Sequence, residues 1–155
     1  PGWVRIKTIV DSGASMSIAP PSMARGVRVD ESEMSRAGKT FISADQGRIE
    51  HQGQQVLHVT TGEGRHGPPI YQIGDVHRPL MAVSQTCGAG SHVLFTSGGG
   101  WVYNLVDGST TPFRRNEHIY ELGMWLTSND ANGEPRKPVA QRTIWRTLHS
   151  RRSRT

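Results

Sequence analysis

Apolar and polar residues alternate along "WVRIKTIV", residues 3 to 10, with Val4, Ile6 and Val10 on one face. That period of two predicts a strand. "KTFISA" and "QQVLHVTT" carry the same pattern, and "DQGRIEHQGQ" between them is rich in turn formers. "PPIYQIGDV" is a further strand. "RPLMAVSQTCGAG" differs: its apolar run with Ala and Gln predicts a helical turn or two, stopped by Gly88. "HVLFT", the turn "SGGG" and "WVYNLV" predict a hairpin, and "HIYELGMWL" a late strand. After Leu126 the pattern lapses. "TSNDANGEPRKP" reads as a linker, and "VAQRTIWRTLHS" as a short amphipathic helix with Ile144 and Leu148 four apart. Short strands with Gly-rich turns predict a mainly β domain, a barrel or a small sandwich.

Composition narrows this. The 155 residues suit one domain with a modest core, and 18 Gly with 9 Pro favour turns over long helices. No run approaches the roughly 20 apolar residues of a membrane span, so no membrane partner is expected. No charged-then-apolar leader opens the chain. The lone Cys87 forms no internal disulfide, which suits a reducing compartment.

The formal net charge of +5 is unevenly spread. Residues 136 to 155 hold seven bases and no acid, leaving eleven bases against thirteen acids before them. The basicity belongs to a tail, and the remainder is slightly acidic. With Trp145 among its arginines, the tail suits weak contact with RNA. A solvated linker towards a next domain fits it equally.

The chemistry concentrates in "TIVDSGASMSIAP", residues 8 to 20. A carboxylate at the end of an apolar strand loses solvation, so something must bond it or use it. Asp11 followed by Ser12, Gly13 and Ala14 lets the backbone turn tightly and leaves room for a second carboxylate. Two such aspartates share one proton, one activating water as base while the other acts as acid. Only one Asp-Ser-Gly is present, so the second must come from another copy. The plain alternative is a turn capped by Asp11. A serine nucleophile is disfavoured, because "GASMS" has Ser17 where an elbow needs Gly. His51, His58, His66 and His77, separated by 7, 8 and 11 positions, make no compact ligand set, so no metal is expected.

"IVDSGASMSIAPPS" resembles the active-site strand of retroviral and retrotransposon aspartic proteases, specifically the copia-type form. "DVHRPLMAVSQTCGAGSHVLFTSGGGWVYN", residues 75 to 104, is similar to a later segment of the same polyproteins. There Pro79 to Gln85 match an apolar run bearing Val-Ser-Gln, Gly88 and Gly90 a Gly-containing turn, and Val93 to Thr96 with Gly98 an apolar strand ending in Phe-Thr and a Gly turn. "HIYELGMWL" also looks like the strand that closes this region.

The resemblance implies a retropepsin-like closed barrel with one short helix over residues 1 to 126, followed by linker and basic tail over 127 to 155. It implies a two-fold homodimer with Asp11 of each subunit as the catalytic dyad. Ser12, Gly13 and Ala14 would shape the active-site loop. No cofactor is implied; the substrate would be peptide segments of the parent polyprotein, cleaved in the cytoplasm or a virus-like particle. A flap is expected within "SADQGRIEHQGQQVLHV" or around "TGEGRHG". Ala82-Val83 stands where retroviral proteases carry an apolar-apolar-Gly signature, so different packing is expected there. Two alternatives stay open: an inactive protease-like assembly domain, or a fragment that includes part of a pre-integrase linker.

Overall fold

A computed structural model describes residues 4–64, 66–67 and 69–126. The linker and tail expected over residues 127 to 155 lie outside the described residues, as does the start of the first strand's motif.

The first strand organises the rest. In β1 (Val4–Asp11), Ile6, Thr8 and Val10 face the core while Arg5 and Lys7 face out. Val4 shares their parity, yet it is 50% exposed at the strand's outer end. β1 pairs antiparallel with β13 (Ile119–Leu126) on one side, and parallel with β9 (Leu80–Ala82) on the other. β9 in turn separates β1 from β2 (Ile18–Ala19), the strand that follows β1 in sequence. A late segment is thus inserted between two early ones.

Beyond β2 lie β8 (Ile70–Ile73) and β5 (Gly53–Val56). Beyond β13 lie β12 (Thr110–Asn116), β11 (Gly99–Asn104) and β10 (Ser91–Phe95). β6 (Val59–Thr61) pairs with β13 past the end of β12, and with β7 (His66–Gly67). β3 (Thr40–Ile42) and β4 (Arg48–Glu50) form a separate hairpin.

The fold is mainly β, but the expected closed barrel is not formed. The sheet path ends at β10 on one side and β5 on the other. Closure would need those ends to pair. The outer edge of β5 is taken: Asp30 and Gln54 exchange both backbone hydrogen bonds, each 2.8 Å. The single expected helix is also corrected, because the described residues form two. α2 (Val83–Gly88) is the predicted one. α1 (Glu33–Arg36) starts from a reciprocal cap, Ser32 Oγ accepting from the Ser35 amide while Ser35 Oγ accepts from that of Ser32.

Two strand boundaries also differ. "QQVLHVTT" is two strands, because the chain bends at the fully buried Leu57 and passes from β8's neighbour to β13's. "DQGRIEHQGQ" contains a strand, β4, as well as a turn. In "SGGG" only Ser97 and Gly98 belong to the turn, and the buried Gly99 and Gly100 begin β11.

The core joins Ile6, Val10, Leu57, Tyr71, Ile73, Leu122 and Met124. Tyr71 is 1% exposed and donates its hydroxyl proton to Thr8 Oγ1 at 3.1 Å. Burial pushes its pKa up to about 12, the hydrogen bond with Thr8 being the smaller, opposing influence. Between about pH 10 and 12 the folded chain therefore holds a proton that the unfolded chain has released. This contribution is intact below pH 10 and is lost as pH rises towards 12, by roughly 1.4 kcal/mol per unit. Tyr71→Phe should remove that slope from urea unfolding measured across the alkaline range. An unchanged slope in the variant would refute the assignment.

Candidate active site

Val10 is the last inward side chain of β1, and Asp11 is the last residue of that strand, opposite Ala82 of β9. Asp11 is half-buried, Ser12 and Gly13 are exposed, and Ala14 is half-buried. The carboxylate is held by its own loop: the Gly13 amide donates to Asp11 Oδ1 at 2.7 Å. A Cβ on Gly13 would stand 3.3 Å from that same oxygen, tighter than an ordinary contact. The in-chain bond to Asp11 thus comes from the Gly13 amide. Ser12 and Ala14 adjoin the carboxylate along the chain.

The loop is braced from the far half of the sequence. The Ser17 amide donates to Gln85 Oε1 at 2.7 Å, and Ser17 Oγ accepts from the Ala82 amide at 3.0 Å. Ser84 Oγ donates to the Ala14 carbonyl at 3.3 Å. Ala82-Val83 therefore ends β9 and opens α2, and the contact to the loop is made by polar side chains of that helix. In the sequence "VSQ" belongs to the predicted helical turn and to the segment that carries the resemblance. Nothing local in it signals that Ser84 and Gln85 support a loop some 70 residues earlier.

Removing the Gln85 acceptor leaves a part-buried amide without its bond, at a cost of about 1–3 kcal/mol. Gln85→Leu should show that loss in denaturant unfolding, with faster hydrogen exchange at Ser17. Unaltered exchange at Ser17 would count against the brace.

A second constellation is the β3–β4 hairpin. Its turn is fastened by Ser43 Oγ, which donates to Asp45 Oδ1 and lies 3.0 Å from the Gly47 carbonyl, and by the Gly47 amide on Asp45 at 3.1 Å. The bond from Ser43, aided by the Gly47 amide, lowers the Asp45 pKa. Gln46 takes a φ of 66° at the tip. The base is anchored by Phe41, edge-on to His51 at 4.9 Å, and by Ile49 against Gly74, where a Cβ would lie 2.9 Å from Ile49 Cγ2. Ile42 remains 76% exposed. Of the expected flap segments, the first contains this turn and β4, while "TGEGRHG" contributes β7 at the edge of β6.

Compared with known proteins, the chain matches no family model, no curated protein and no solved structure. The site must therefore be read from its own chemistry. Among the described residues no three His, Cys, Asp or Glu side chains gather as metal ligands, and Cys87 is exposed on α2. No described helix is long and apolar enough to cross a membrane.

Proposed function

We propose that this chain is an aspartic endopeptidase of the retropepsin-like, copia-type kind, acting as a homodimer on its own polyprotein in the cytoplasm or a virus-like particle. The observation that carries the reading is the setting of Asp11. It is a carboxylate at the C-terminal end of a core strand, bonded by Gly13 and backed by a loop clamped to β9 and α2. That arrangement leaves the carboxylate pre-positioned yet accessible.

Asp11 from each of two copies forms the dyad. Two carboxylates brought close together cannot both ionise, so they hold one proton between them. The ionised member takes a proton from the attacking water, and the protonated member gives its own to the carbonyl oxygen. The member that took the water's proton then gives it to the amide nitrogen, which leaves as the peptide bond breaks, and the other member takes a proton back from the oxygen. Ser12, Gly13 and Ala14 line the approach to the carboxylates. The β3–β4 hairpin serves as the flap, its free tip offering main-chain groups to an extended peptide. Among the described residues no strand pairs with the outer edge of β10, and with Leu94 and Phe95 exposed that edge suits pairing with the second copy.

The test is self-cleavage of the chain extended at both ends by its native flanking sequence. Below the dimerisation constant the rate should rise with about the square of protein concentration, and activity should favour mildly acid pH. A rate per molecule that is independent of concentration would rule out a shared dyad. Absence of cleavage in a folded, dimeric protein would support an inactive assembly domain instead.

A further inference from the structure

The outward face of β1 and β13 carries a site that this function does not use. On one edge of β13 the ladder passes from β12, whose pairing ends at Glu121, to β6, whose pairing begins at Met124. Where the two diverge, a groove of about 590 Å³ opens, lined among others by Arg5, Lys7, Arg114 and Trp125. Strand parity puts these together: Arg5 is opposite Trp125, and Lys7 opposite Gly123. The Arg5 guanidinium lies across Gly123, where a Cβ would be 3.2 Å from Nη2, and its carbon is 5.9 Å from the Trp125 ring centre.

The charges are not balanced. Glu121 is already engaged: it accepts from Arg78 at 2.7 Å and lies 3.8 Å from Lys7. The bond from Arg78 is the main reason its pKa is lowered. Glu63 is the other acid on the lining, and it is exposed. Among the described residues neither Arg5 nor Arg114 is ion-paired. A cationic surplus therefore sits on a stretch, residues 1 to 126, whose eleven bases and eleven acids balance as a whole.

From these observations we infer that the groove binds single-stranded nucleic acid, with phosphates on Arg5, Lys7 and Arg114 and a base stacked on the Arg5–Trp125 platform. Flat guanidinium and indole surfaces beside unpaired bases are what recognition of a single strand needs. β13 ends one residue past Trp125, and residues 136 to 155 add seven bases, no acid and Trp145. An acidic peptide would use the charges and leave the platform idle.

Fluorescence anisotropy of the full chain with a short labelled oligo(U), over about 50 to 200 mM salt, tests this. Arg5→Gln with Arg114→Gln should weaken binding at least about tenfold and flatten the slope of log affinity against log salt by about 1.4. Arg25→Gln with Arg36→Gln removes the same charge from exposed sites away from the groove, and should leave the slope near wild type. If the groove pair does not fold, Arg114→Gln alone is read, with about half the change in slope. Equal effects of the two pairs would reduce the binding to diffuse charge and the tail, overturning the site. So would no binding at all. Polyphosphate or polyglutamate displacing oligo(U) at equal charge would overturn the stacking platform and with it nucleic acid as the ligand.

Discussion

Asp11→Asn is expected to lower self-cleavage by about 10⁴-fold while leaving the chain folded. Asparagine keeps the size of the side chain, and its Oδ1 can still accept the Gly13 amide that holds Asp11. What it loses is ionisation, and with it the base that takes a proton from water. The proposed dyad sharpens the test. A mixed dimer of one wild-type and one Asp11→Asn subunit has a single carboxyl group at the dyad and cannot divide the acid and base roles. Mixing equal amounts of wild type and variant, with free exchange of subunits, should leave roughly a quarter of the activity of the same total of wild type. Activity at half would mean that each subunit works alone. Full activity in pure Asp11→Asn would end the aspartic-protease reading outright.

The second large effect concerns stability. Gly100→Val should leave little folded protein, whereas Gly98→Val, two residues earlier, should be tolerated. Gly100 lies opposite Phe95 on one neighbouring strand and Phe113 on the other. Phe113 crosses over it towards Phe95 and Tyr120, with ring centres 5.3 and 5.9 Å apart. A Cβ on Gly100 would lie 2.7 Å from Phe113 Cε2, and closer still to the Leu94 carbonyl oxygen. Backbone cannot yield as a flexible side chain can, so the strand pair must separate. Overpacking commonly costs about 1–3 kcal/mol, and a clash with main chain exceeds that. Gly98 has nothing within 4 Å of its would-be Cβ. Urea midpoints of the two variants decide the matter, and equal midpoints would refute the account.

This contrast also shows what the sequence could convey. Three consecutive glycines read as a turn, because glycine's local meaning is freedom of the backbone. Their non-local meaning, room for Phe113, depends on a strand that comes later. The same division runs through the fold. β1, α2, the β10–β11 hairpin and β13 were legible because their periodicity and their stops are local. The bend at Leu57 was not, because no Gly or Pro interrupts the strand-forming residues from Val56 to Thr61. Nor was the open sheet, which follows from Asp30 pairing with Gln54. At the candidate site Asp11 and its small neighbours stood out by residue type alone. Ser17 and Gln85 did not, since a polar pair 68 positions apart leaves no pattern in either segment.

The insertion of β9 beside β1 has a consequence for the order in which the molecule is made. Both ladder partners of β1 come from the second half of the described chain, and the brace on its loop comes from α2. Asp11 is synthesised some 70 residues ahead of β9, and nothing made before residue 80 can flank its strand. Contacts so distant in sequence are slow to close. The carboxylate is therefore synthesised well before it is set, so a chain interrupted before α2 would carry the residue without its setting.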